Sequence, residues 1–541
     1  MTSLPLNAWF LSALIGLGIS TQLNADEGTL FRFRASSEPS TLDWNQAHTS
    51  AEAPVLINIM RGLFTEGNGK EVRLDLARNW VVSKDGLTYT FSLRRKIFWS
   101  DGVELRASHF RDSWIRLMDP EISSPYKNHL SMIKGAEGWL TGKSTSAGVA
   151  IEATDSYTLK VQLTTPVPDF PSLLSFWVTF PIRTDLLKTL GEGAFAPPHL
   201  VTLGPYVVTS WEKGAKITLT KNSRWPQEKP TDASPGKIEI IIEDDPKKAW
   251  SSLKSGNLDI WLDATTSDLL EIRKKEGWRH QFFPYLATYY LGFNHKKSSP
   301  LNNRSLREAV ALSIDTRELP ALLQGGQTAA KGWIPPEIAV SNQPFFSEKN
   351  NYKARGAIAQ AGFQEGSGLQ PLKLLIEPFD GSTKLATHLI QSLKENLGIG
   401  IVATYPKSVN EYVQMRLKSD FDLFLGHWGA DFSDPVAFLE IFESGNPNNH
   451  TNWKESEYDS LIKKAKACTQ PKERDQYLKS AEKILLMKSV AIFPLFYKKN
   501  AVLIGPRVKS IYISPLNYFY FESIRLKVEN LPAGKKSRPG Q

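Results

Sequence analysis

In the segment TLFRFRA, Phe31 and Phe33 alternate with Arg32 and Arg34, the period of a half-buried strand. The run NWVVSKDGLTYTFSLRR sets Asp85 and Gly86 between two apolar-patterned stretches. It puts Leu87, Tyr89, Phe91 and Leu93 on one face, which predicts a hairpin with a glycine-containing turn. Period-two runs recur at 157–163 (YTLKVQL), 205–220 and 237–242 (KIEIII). Helical spacing is equally clear: Phe110, Trp114, Leu117 and Met118 fall at i, i+4, i+7 and i+8, as do Tyr477, Ala481, Ile484 and Leu485. Strands and helices intermix without a repeat, so the predicted class is α/β or α+β with several lobes. Breaks rich in Pro and Gly at 164–171, 196–205 and 332–336 (GWIPP) mark expected crossings or loop tips.

A length of 541 residues allows two to four domains, and 41% hydrophobic with 22% charged residues is ordinary for a globular chain. The formal charge of +9 is mild and scattered; its one dense group, Lys535, Lys536 and Arg538, lies in a polar tail. No nucleic-acid partner is read from it. The first 25 residues carry no charged side chain, and their apolar stretch from Ala8 to Ile19 ends before Ala25 and Asp26. This predicts a cleavable secretory signal, although its n-region lacks Lys and Arg. A single cysteine, Cys468, excludes an intramolecular disulfide and a lipid-bearing cysteine after the signal. The expectation is a free, monomeric periplasmic protein.

Motifs for catalysis are missing. There is no GxxxxGK[ST] cradle, no GxGxxG after a strand and no GxSxG elbow, and none of the nine His stands in a chelating spacing. Glu243, Asp244 and Asp245 before Pro246 read as a turn. The expectation is a non-enzyme without metal or cofactor. Fifteen Trp and 27 Phe are numerous, and pairing with Gly in HWGAD and GWIPP suits aromatic walls of a cavity that closes on a ligand. The stretch FDLFLGHWGADFSDP begins like a buried strand and then places Asp431 behind Trp428, Gly429 and Ala430. A carboxylate there is costly unless something positive meets it. One competing reading makes Asp431 the cap or salt-bridge partner of a helix starting near Asp434 and Pro435.

Ordered blocks along the chain resemble one family. They are LDWN (42–45), RGLFTEG (61–67), ARNWVVSKDGLTYTFSLR (77–94), WSDGVELRASHFRDSW (99–114), DPEISSPY (119–126) and GPYVVTSWEKGAKITLTKN (204–222). The series continues through YYLGFNHKKSSPLNNRSLREAVALSID (289–315), FDLFLGHWGADFSDPVAFLEIF (421–442) and NWKESEYDSLI (452–462). Together they cover essentially the whole mature chain, which is similar to the periplasmic oligopeptide-binding proteins of ABC transporters, extracellular solute-binding protein family 5 (the peptide/nickel type, cluster C). The resemblance implies a bilobal, Venus-flytrap α/β fold with an extra third domain. Domain I would comprise 26–61, 188–288 and 501–528, domain II 62–187 and domain III 289–500, with a signal at 1–25 and a tail at 529–541. Ligand would lie between domains I and III.

The resemblance also implies roles. Asp431 matches the counterion of a peptide α-ammonium, and Tyr126 matches the family's SPY tyrosine beside the ligand. The main chain around Trp428, Gly429, Ala430 and Phe432 would pair with an extended peptide. Arg416 matches a basic residue at the start of the block. Two departures stand out: Leu425 occupies the place of an Arg that meets a peptide carboxylate, and Ser382 that of a His. In the outer lobe, His109 replaces an acidic residue. The implied partners are short peptides and inner-membrane ABC permease subunits. Alternatives left open are a non-peptide solute in the same fold (nickel chelate, haem, opine or sugar), a ligand-presenting sensor, and a secreted peptidase lacking a visible constellation.

Overall fold

The computed structural model describes residues 30–527, except 50, 68–71, 227–233, 263, 273–274, 342–343 and 346–348. The expected signal segment and the polar tail from 529 lie outside the described residues. Leu30–Ala35 forms as its alternation dictates, with Phe31 and Phe33 buried against Phe519 and Phe521. It pairs in parallel with Lys237–Ile242, and the Tyr206–Glu212/Lys216–Lys221 hairpin completes a four-stranded sheet. A second four-stranded antiparallel sheet holds the other predicted hairpin. Ala77–Val82 pairs with Thr88–Leu93, Gly86 turns with φ +72°, and Tyr89, Phe91 and Leu93 face inward. The residues of these two sheets share one continuous apolar core, from Phe31 through Phe91, Trp114 and Leu163 to Leu526. The expected boundary between domains I and II is therefore not a break in packing.

The helix Ala107–Leu117 buries Phe110, Trp114 and Leu117 as its spacing demands. His109 takes over the acidic residue's place at its start. Its Nδ1 accepts from the Arg106 backbone N–H and from Trp99 Nε1, both at 3.2 Å, and burial pushes the imidazole down to about 4, so it caps as a neutral acceptor. Asp245 caps Pro246–Lys254 by accepting from Lys247 N at 2.8 Å, which fits the turn reading of the acidic triplet.

The second lobe is built on a seven-stranded mixed sheet with an apolar core on each face. Alternation sorts the side chains: Leu423 and Leu425 face one core, and Phe424 the other. Two long strands, Arg279–Phe293 and Ile492–Ile504, run side by side from the first core into this lobe. Phe283 and Val502 pack in the first core, whereas Leu291 and Leu495 pack in the second lobe. One expectation is corrected here. GWIPP is neither a loop tip nor a cavity wall: Trp333 is fully buried, donates to Phe438 O at 2.6 Å and stacks edge-on to Tyr290. A ring of that size in a filled core contributes packing rather than a binding surface.

Candidate functional site

The strand Leu423–Gly429 lies between Arg279–Phe293 and Leu372–Ile376. Its pairing with the first continues over its whole length, and Ala430 N extends it to Leu286 O at 2.9 Å. On the other side the register stops at Leu425, whose carbonyl accepts from Glu377 N. Past that point no strand among the described residues covers the Gly426–Gly429 edge. Its backbone N–H and C=O groups are therefore available to an added strand.

Asp431 stands at the end of this open edge. It makes no hydrogen bond or ion pair among the described residues, and its side chain is reachable by solvent. Surrounding protein nevertheless pushes its carboxyl above the ordinary range by desolvation alone, with no cation offsetting the shift. That combination belongs to a concave wall, where water still enters but solvates poorly. The cap and salt-bridge roles fall instead to Asp434. It accepts from Val436 N at 2.8 Å and takes a bidentate pair from Arg474 at 2.8 and 2.9 Å. Asp431 is left over.

The expected site residues are placed as follows. Trp428 donates Nε1 to Ala437 O at 2.8 Å and half-buries its ring against the second lobe. Gly429 pairs with Ala287, and Phe432 lines a cavity of about 620 Å³ between this lobe and the 129–173 region opposite. In that region Asp169 is pushed up by burial and by the Asp434 charge. Tyr126 packs edge-on to Phe176 at 4.9 Å, and its hydroxyl is pushed up by burial and then by the Asp431 charge. Arg416 is not brought to this group by any contact: its guanidinium stacks over Tyr412 at 5.2 Å and Phe424 at 6.0 Å. Its Nε is buried without a hydrogen bond.

Sequence reasoning missed three groups. Tyr518 is raised by burial and further by charges that include Glu66 and Asp431. Glu66, fully buried, accepts from Ser514 Oγ while Oε1 has no partner, and burial pushes its carboxyl up to about 8. His427 follows the buried Leu425 on the same sheet face. Its Nδ1 lies 2.8 Å from Glu377 Oε2 and its ring stacks on Tyr289 at 4.9 Å. None had a local signal, because each depends on a neighbour more than 40 residues away. Among the described residues no group of His, Cys, Asp or Glu is arranged to hold a metal, and no helix is long and apolar enough to cross a membrane.

An open strand edge ending in an unpaired carboxylate, set between two lobes joined by long strands, defines a cleft-type binding protein. Residues 71–450 match the family model of bacterial extracellular solute-binding proteins, family 5 (middle region), and the chain belongs to that family. It is 28% identical to the oligopeptide-binding protein OppA of Bacillus subtilis, over 92% of this chain and 93% of that one. It is 27% identical to YgiS of Escherichia coli, named a probable deoxycholate-binding periplasmic protein, over 92% and 94%. Among solved structures it matches the unliganded open form of the periplasmic murein tripeptide-binding protein MppA with a TM-score of 0.80 at 26% identity, covering 92% and 97%. A second structure, of Escherichia coli MppA, matches at 0.70 with the same identity, covering 92% and 98%.

Proposed function

We propose that this chain is a periplasmic receptor that captures short peptides between its lobes and delivers them to an inner-membrane ABC permease. The observation that carries this reading is Asp431: a carboxylate raised by desolvation, without a cation among the described residues, at the end of an uncovered strand edge, whose charge reaches Tyr126. A peptide supplies both missing parts. Its α-ammonium gives three donors to the carboxylate, and its main chain pairs with the Gly426–Gly429 edge whatever its side chains. Relatives named for oligopeptide and murein tripeptide binding support this reading. The deoxycholate-named relative is nearly as similar in sequence, but an anionic steroid would leave Asp431 uncompensated.

The same reading puts the hinge in Arg279–Phe293 and Ile492–Ile504, at the domain limits near 289 and 500. Trp428 and Phe432 would wall the first ligand residue, and Arg416 would act only from behind Tyr412. The test is native mass spectrometry of protein purified without denaturation, followed by titration with free and N-acetylated peptides. Co-purified short peptides and a large loss on acetylation are expected. A bile acid in the cleft, or equal affinity for both peptide forms, would sink the proposal.

A further inference from the structure

The far end of the ligand has no obvious holder in the second lobe, since Leu425 is fully buried. The first lobe has one. A cavity of about 670 Å³ opens beside the end of Leu30–Ala35, walled by Trp250 and Trp261 and bounded by Asn517. Leu286, whose carbonyl accepts from Ala430 N, donates its own N–H to Pro515 O at 2.8 Å, two residues before Asn517, so the cavity and the Ala430–Asp431 stretch flank the same segment. On its other flank, Thr265 lines the cavity and Thr266 N donates to Asp380 Oδ2 of the second lobe at 3.1 Å. The cavity therefore lies along the cleft.

Arg34 projects into it. Strand alternation sends Phe33 to the core and Arg34 to the opposite side, where its guanidinium lies over the Trp261 ring at 5.1 Å. Nε donates to Glu243 O at 2.9 Å, fixing one edge of the fork. The two terminal nitrogens engage no acceptor among the described residues. The acids lining the cavity are already occupied: Glu271 by Lys254 at 3.2 Å and Trp250 Nε1 at 3.1 Å, and Asp268 by Thr265 N at 2.9 Å. Burial lowers the Arg34 pKa, and the nearby charges of Glu243, Asp244 and Asp245 offset this only in part, without forming an ion pair with it; Lys247 adds a second cation to the lining. A planar fork held on one face and one edge, with its other edge free, matches a carboxylate in bidentate geometry.

We propose that Arg34, positioned by Trp261 and Glu243, binds a carboxylate of the captured peptide, either its C-terminus or an acidic side chain. This rests on the peptide reading above. The test is calorimetric titration of the full-length mature protein and of Arg34→Met with one peptide series: free acid, C-terminal amide, and forms with Glu or Gln at each inner position. In the unsubstituted protein, removing the relevant carboxylate is expected to weaken binding about tenfold, a modest loss because the site is partly wet. Sensitivity to amidation identifies the C-terminus, and sensitivity to Glu→Gln an acidic side chain. Arg34→Met should bind all forms at the weaker level, while Arg34→Lys, which keeps the charge but not the fork, restores part of the discrimination. Arg34→Lys also carries the test if the Met variant fails to fold. Discrimination that survives unchanged in the variants, or its absence in the unsubstituted protein, overturns the Arg34 assignment and leaves peptide capture standing. No binding of any peptide overturns both.

Discussion

Asp431 and Asp434 sit three residues apart in one loop and have opposite fates. Asp434 is buried, capped onto Val436 N and clamped by both terminal nitrogens of Arg474. Asp431 is open to solvent, raised by desolvation and without a partner among the described residues. The first is a carboxylate whose interactions are complete in the unliganded fold. The second is complete only when something else arrives. An unmet charge is retained at a cost, and in the function proposed above the peptide ammonium is what offsets it.

The largest expected effect separates the two directly. Asp431→Asn should lose about 2–5 kcal/mol of peptide affinity, measured by titration, with unfolding unchanged. A thermal or denaturant midpoint that falls with Asp431→Asn would break the contrast. Asp434→Asn should do the reverse, costing about 2–4 kcal/mol of stability in denaturant unfolding because Arg474 is left buried and unpaired. Acidification gives the next test. The raised Asp431 carboxyl takes up its proton at a higher pH than an ordinary carboxylate, so affinity should fall as pH drops through that raised value. The loss should approach about 1.4 kcal/mol per pH unit below it, and this dependence should be absent in Asp431→Asn.

Glu66 sharpens the comparison as a third carboxyl, short of partners but fully buried. Its folded-state value of about 8 lies above that of the unfolded chain. The folded protein therefore binds the extra proton between those values, and stability falls as pH rises from the carboxylate range through about 8. Glu66→Gln, neutral at every pH, should remove that slope, which in unfolding experiments amounts to up to about 1.4 kcal/mol per pH unit between the ordinary carboxylate range and about 8. An unchanged slope would show that Glu66 is ionised in the folded state. A carboxyl without a cation thus has two outcomes, neutralisation in the core and waiting in the cleft.

Local pattern carried much of the fold. The Asp85–Gly86 hairpin, the helix with Phe110 and Trp114, and the strand at Phe31 and Phe33 lie where their periodicity puts them. GWIPP did not: a Trp beside Gly looks the same in a pocket wall and in a core, and only the rings of Tyr290, Phe438 and Phe442 packed against Trp333 decide between them. The role of His109 was not legible in the sequence, because its ring closes the helix start together with Trp99, ten residues away.

By itself, the sequence determined the α/β alternation, the Asp85–Gly86 hairpin, the lack of a disulfide and the suspicion attached to Asp431, because periodicity, composition and the cost of an unmet charge are properties of short segments. Tertiary structure alone decided which of two neighbouring aspartates pairs with Arg474, where the pairing of the strand Leu423–Gly429 stops on one side, and that Arg34 rests on Trp261. Those facts depend on contacts between Asp434 and Arg474, Leu425 and Glu377, and Arg34 and Glu243, partners that only the folded chain brings within hydrogen-bonding distance.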